Sequence, residues 1–350
     1  IPHSEVIIFY GYIYTWIQSV ALRLFGERLI SVGIITGLFY SLTLFLSYLV
    51  FLRFLKKNYA FVAVLFIFLI HPYIIYPVAN YFAYTFQLMA LVFFLLYSKH
   101  HYNGLLAGFF LSLSVLSRYS SAIAILPPFV ILLCWDFFTA ADEKKHVVKK
   151  IALVSSGFLL PILLFLIYLF VNSALKAFFS QNQMLINVMG NVSYVETYLN
   201  FLGSIFQVVP SLASDLRGKL FTLILIICLF ILVREVIKKI SGDDSSSTYA
   251  HYDVMAVCLL VIFGYLNSIH VYETFRLVNG ASLGVGICVL VFHNVFIHAK
   301  KPLKYIMVFL VTLIFLLLSA SLFFNRTTSS YYPWRMDILL GKGVTNKTIK

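Results

Sequence analysis

The sequence predicts an all-α polytopic membrane protein with about ten transmembrane helices. Three observations predict it. The 350 residues are 61% hydrophobic and only 11% charged, with a mean hydropathy of +0.95, whereas soluble domains carry about 25% charged residues. Apolar runs long enough to cross a bilayer recur along most of the chain. The basic residues stand in short clusters between those runs, as in proteins oriented across a membrane. The net charge of +13 therefore does not point to nucleic acid, for which a basic domain or a binding motif is wanted.

Taken in order, the spans are expected at 29–53, 60–76, 81–98, 104–117, 120–138, 151–172, 219–238, 253–270, 279–298 and 305–324. The fourth stops at Ser117-Arg118. The fifth contains Pro127-Pro128, which removes two helix donors and reads as a broken or re-entrant element. Alternate loops carry Arg53, Lys56 and Lys57; Lys99; Lys144, Lys145, Lys149 and Lys150; Arg234, Lys238 and Lys239; then Lys300, Lys301 and Lys304. The opposite loops hold only Arg118, Lys176, Arg217, Lys219 and Arg276. The positive-inside rule puts the first set in the cytoplasm and both chain ends outside.

The outer side then owns a first loop at 1–28, the turn 71–80, residues 117–121, a long loop at 173–218, residues 270–278 and a tail at 325–350. The membrane domain is expected to run over 1–324. Within the first loop, Tyr12–Phe25 (YIYTWIQSVALRLF) alternates apolar and polar positions at helical spacing. It reads as an interfacial amphipathic helix or as an ordinary helical entry into the first span. An extracytoplasmic start without a signal-peptide pattern implies a further helix upstream of Ile1, about eleven or more in all. The GKGVTNKTIK ending reads as the beginning of a longer trailing segment. Cys134, Cys228, Cys258 and Cys288 lie in or beside apolar segments without metal-ligand spacing, so buried thiols are expected rather than a zinc site or a disulfide framework.

Ionisable groups at membrane spans are costly and point to function. On the outer side these are His3 and Glu5 in IPHSEV, His71 in LIHPYIIYP, Arg118 in SVLSRYSS, and His270, Glu273 and Arg276 in NSIHVYETFRLVNG. Each also has a plain reading. Arg118 could snorkel to headgroups, Glu273 and Arg276 could pair along one helical turn, and His71 could be an interfacial residue without a chemical task. Glu5, followed by Phe9, Tyr10 and Tyr12, is placed for partial desolvation, which raises proton affinity.

Ile1–Val50 resembles the first outer loop and following helix of GT-C membrane glycosyltransferases, in particular the protein-mannosyltransferase-like and aminoarabinose-transferase-like branch (family 39-like). Ile1-Pro2-His3-Ser4-Glu5-Val6 stands where that branch has a Pro-Tyr-x-Asp-Phe turn. Tyr10-Gly11-Tyr12-Ile13 stands at its Tyr/His-Gly-Pro-Leu turn, and Arg23-Leu24-Phe25-Gly26 before its second helix. Asn103-Gly104-Leu105-Leu106-Ala107-Gly108, followed by Ser117-Arg118-Tyr119, is similar to its Gly-Leu-Leu-x-Gly…Arg helix. The motif resemblance covers about residues 1–50 and 100–130.

The resemblance implies a GT-C fold and transfer of a hexosyl or pentosyl group from a polyprenyl-phosphate donor to a protein, lipid or glycan acceptor. That transfer takes place outside the plasma membrane, the inner membrane of a bacterium. It implies that Arg118 and Arg276 hold the lipid phosphate and that Glu5 supports catalysis. His3, Tyr10, His71, His270 and Glu273 would then contact substrate. The chain departs from the branch in two places. The leading catalytic acid would lie upstream of Ile1, and the turn from His71 to Thr85 holds no Asp or Glu. With no acidic pair visible on the outer side, no metal or other cofactor is expected. A multi-span transporter or lipid flippase is the main competing reading, and a polysaccharide polymerase or ligase the next. A carrier would place its charges near mid-membrane in two related halves, and a polymerase would carry a large outer loop rich in Arg and His.

Overall fold

A computed structural model of the chain describes residues 11–71, 78–139, 144–190, 199, 202–203, 216–241, 248–268 and 274–328. The described residues form helices and turns, with no strand among them. In order they are α1 (Tyr12–Phe25), α2 (Leu29–Phe51), α3 (Lys57–Ile70), α4 (Ala79–Leu95), α5 (Tyr102–Ser117), the 3₁₀ turn η1 (Tyr119–Ser121), α6 (Ala122–Thr139), α7 (Lys144–Val171) and α8 (Leu175–Gly190). Then follow α9 (Leu216–Ile240), α10 (Thr248–Gly264), a second 3₁₀ turn η2 (Tyr265–Ser268), α11 (Thr274–Ala281), α12 (Gly284–His298) and α13 (Lys301–Thr328). Six helical stretches are long and apolar enough to cross a membrane, and the four shorter apolar helices α3, α4, α5 and α12 occupy the remaining expected spans. The protein is an integral, multi-pass, all-α membrane protein.

The centre of the bundle is built by α4 and α10, which are apolar around most of their circumference and therefore buried on most sides. Leu88, Leu91, Ala256, Val257, Cys258 and Val261 are sealed in this core. The rim shows the opposite pattern: α7 and α13 expose Leu163, Leu164, Ile167, Phe309 and Leu316, the surface that lipid rather than water tolerates. Small residues set how closely helices approach. A Cβ on Gly108 of α5 would fall on the Val154 carbonyl of α7, and one on Gly157 of α7 on the Leu105 carbonyl of α5. The two backbones touch there, as small-residue crossings in membranes permit.

Three local expectations change. Pro127 and Pro128 lie inside a continuous α6; they cost donors only to the first turns of that helix, next to η1, and do not break it. Helix α7 starts at Lys144, seven residues before the expected span, because its Lys-rich first turns are helical as well. The long loop 173–218 contains α8, whose Phe178 packs edge-on against Phe165 of α7 at 5.5 Å while Phe179 stays exposed. Helix α1 runs over Tyr12–Phe25, the stretch with the amphipathic pattern. It buries Gln18 and Ala21 and exposes Trp16, Leu24 and Phe25.

Charged residues within the bundle are paired at one end. Arg53 Nε donates to Asp253 Oδ2 at 2.9 Å, and Lys150 Nζ to Asp136 Oδ2 at 2.7 Å. Tyr252 adds its hydroxyl to Asp136 at 3.1 Å, and Glu235 is held between Arg234 and His251. Buried charges persist only with such partners. These residues come from the helix ends whose flanking loops carry the Lys and Arg clusters.

Candidate functional site

The opposite end carries the outer-side candidates that fall among the described residues. Its first part is the junction of α1 with the α5–η1 turn. The Gly11 N–H donates to the Ser117 carbonyl at 3.0 Å, and the Tyr12 N–H to the Tyr119 hydroxyl at 3.2 Å. A Cβ at residue 11 would fall on the Leu116 and Ser117 carbonyls, so only glycine lets the first loop lie against this turn. The Tyr12 ring packs on Phe165 and Tyr168 at 5.1 and 5.3 Å. Burial, with Tyr168 next to it, pushes the Tyr12 hydroxyl above the ordinary phenol range.

Arg118 sits between α5 and η1 in extended backbone, its N–H bonded to the Val115 carbonyl at 3.1 Å. The residue is 8% exposed, which replaces the snorkelling reading: the guanidinium is enclosed by protein. Beside it, η1 packs against η2. There Asn267 Oδ1 and Ser268 Oγ are buried and find no protein partner among the described residues.

The second part is built around His71. It is 3% exposed, the C-cap of α3, with ring centroids 4.4 Å from Tyr40 of α2 and 5.3 Å from Tyr81 of α4. It is therefore enclosed rather than interfacial. Tyr81 and Asn279 of α11 are neighbours where α4 meets α11, and the Tyr84 hydroxyl meets Ser282 Oγ at 2.9 Å. Arg276 lies one turn before Asn279 on α11, half-buried. Helix α11 packs on both α4 and η2, with Gly264 and Gly280 in backbone contact. Both arginine-bearing elements thus pack against the same turn, η2.

The structure places three of the sequence candidates, His71, Arg118 and Arg276, at this end. His3, Glu5, Tyr10, His270 and Glu273 lie outside the described residues, as does the contact of Glu273 with Arg276. Tyr40, Tyr81, Asn279, Asn267 and Ser268 were not singled out from sequence. Asn279-Gly280 carries a turn-type signal, and the others carry none. Of the described carboxylates, Asp136, Glu235 and Asp253 belong to the other end, and Glu27 is exposed between α1 and α2. Among the described residues no group of three or more His, Cys, Asp or Glu side chains is placed to hold a metal ion. Among the described residues, the buried side chains at this end are a guanidinium, phenols and amides, groups of the kind that bond anions and hydroxyls.

The architecture matches that of the archaeal oligosaccharyltransferase AglB from Archaeoglobus fulgidus, solved in complex with an inhibitory peptide and a dolichol-phosphate. The match has a TM-score of 0.52 at 14% sequence identity and covers 97% of this chain and 49% of that one. This chain has the GT-C fold. At that identity the likeness concerns the GT-C architecture alone, and the chain spans about half the length of the protein it matches. No family model and no curated relative matches the GT-C chain described here.

Proposed function

We propose that the protein transfers a sugar from a polyprenyl-phosphate-linked donor to an acceptor at the extracytoplasmic face of the membrane. The observation that carries this reading is the enclosed Arg118 next to η1, with η1 and the Arg276-bearing helix α11 both packed on η2, in a bundle whose fold is that of a protein solved with dolichol-phosphate. Arg118 and Arg276 hold the departing lipid phosphate, where charge develops as the glycosidic bond breaks. Charge-assisted and bidentate bonds suit guanidinium to that task. Tyr10, His71, Tyr81 and Asn279 hydrogen-bond the sugar or the acceptor. Glu5 orients the acceptor hydroxyl or its general base, and His3, His270 and Glu273 contact substrate.

The acceptor is a protein, lipid or glycan, and the compartment is the outer side of a plasma membrane, the bacterial inner membrane. Arg118→Ala and Arg276→Ala in the full-length protein are expected to lower sugar transfer from a polyprenyl-phosphate donor by about a hundredfold, the scale of losing one stabilising donor. Undiminished turnover in both variants overturns the reading.

A further inference from the structure

The end of the bundle away from Arg118 carries a second constellation that this reaction does not use. Asn103 Nδ2 donates to the Leu96 carbonyl at 2.8 Å and ties down the turn between α4 and α5. That turn presents Tyr97, Lys99, His100 and His101. The glycine contact between α5 and α7 brings the first turns of α7, with Lys144, Lys145, His146 and Lys149, beside it. The His146 ring lies 5.0 Å from His101 and 5.2 Å from Tyr97, and His101 lies 5.4 Å from Tyr97. Lys99, His100, His101, Lys145 and Lys149 are exposed. Tyr97 is 3% exposed, and its buried hydroxyl has no partner among the described residues. Asp136 is already engaged by Lys150 and Tyr252. Asp142 and Glu143, which precede α7, lie outside the described residues.

We propose that this patch binds the headgroup phosphate of an anionic phospholipid in the adjoining leaflet, with Lys99, Lys145 and Lys149 as its charged wall and Tyr97, His101 and His146 as its floor. Basic clusters between transmembrane helices at headgroup depth recognise such lipids. A lipid fits better than a free anion because apolar surface continues beside the charges: Leu105 is 38% and Val148 53% exposed on the flanking turns of α5 and α7, in the path of an acyl chain. Lys149 first, then desolvation by the neighbouring groups, hold the His101 imidazole below its ordinary pKa. Lys149 and His146 face it from α7 and Tyr97 from its own turn. A phosphate offsets the Lys149 charge and favours the His101 imidazolium, so binding takes up a proton and tightens as pH falls through the imidazole range.

The test is native mass spectrometry of the full chain released from nanodiscs made of equal parts phosphatidylglycerol and phosphatidylcholine. The wild type should retain phosphatidylglycerol selectively, and more of it at lower pH. Lys145→Ala with Lys149→Ala should cut retention by roughly thirtyfold, about fivefold per lysine. Tyr97→Phe, which deletes only the hydroxyl, should cut it by about threefold. Lys56→Ala with Lys57→Ala removes equal charge from a different loop at the same end and should leave retention within about twofold, since it touches no member of the patch. Equal loss in the two double variants, equal retention of phosphatidylcholine, or displacement by free glycerol phosphate would each overturn the proposal.

Discussion

The Gly11 N–H donates to the Ser117 carbonyl at 3.0 Å, one residue before the enclosed Arg118. This bond joins the start of α1 to the turn that carries the guanidinium. In the proposed function this junction is what would let residues so far apart in sequence act on one substrate.

Gly11→Ala tests that junction. The added methyl meets backbone carbonyls of Leu116 and Ser117 that cannot move aside, so the loop must lift. We expect kcat/KM for sugar transfer to fall by about tenfold or more, with a stability loss of roughly 1–3 kcal/mol. Steady-state kinetics alongside a thermal melt in detergent separates the two effects, and unaltered kinetics would mean that the junction has no bearing on the site.

The Lys150–Asp136 pair should prove costly to break from one side. Both side chains are largely buried, at 10% and 15% exposure, and the ammonium also sits 3.9 Å over the Phe94 ring. Asp136→Leu leaves an uncompensated cation and should destabilise the protein by about 3–5 kcal/mol, whereas Asp136→Leu with Lys150→Met should recover most of the loss. Unfolding in mixed micelles reads both variants, and an additive double variant would contradict the pairing.

The glycines of the helices should separate into two classes. Gly108→Val forces α5 from α7 and is expected to cost more than about 3 kcal/mol. Gly33→Ala on α2, where a Cβ meets open space, should be neutral or stabilising by up to about 1 kcal/mol through helix propensity. If the two substitutions cost the same, the crossing is not close-packed.

Thiol chemistry can report on helix pairing. Cys228 of α9 and Cys258 of α10 are both sealed where these helices pack together. A membrane-permeant thiol reagent should therefore leave both unlabelled in the folded protein and label both after unfolding. Labelling of either cysteine in the folded protein would contradict that packing.

Much of the architecture is legible in the sequence because hydropathy acts over about 20 consecutive residues, and each expected span finds its helix. The amphipathic pattern of Tyr12–Phe25 likewise finds α1. The misses have specific causes. Helix α8 begins within an expected loop because Gln181, Asn182 and Gln183 lower its hydropathy without lowering its helicity. Helix α7 extends back through Lys144–Lys150 because charged turns outside the hydrocarbon remain helical. For the site, charge alone marked Arg118, Arg276 and His71. Tyr40 and Tyr81 were hidden among 23 tyrosines, and Asn279, the neighbour of Tyr81, stands on a helix far along the chain. Such long-range pairings leave no trace in local pattern. Enclosure separates a snorkelling arginine from a buried one, and it too becomes visible only when η1 is packed on η2.

The central claim is that Arg118 binds a lipid phosphate, and its most direct test is the affinity of the full-length protein for a polyprenyl phosphate without sugar. Loss of a charge-assisted bond of about 1.5–3 kcal/mol corresponds to roughly ten- to hundredfold weaker binding by Arg118→Ala. Arg118→Lys should fall between that variant and wild type, since the charge stays while the bidentate fork is lost. Wild-type affinity in Arg118→Ala would contradict the account.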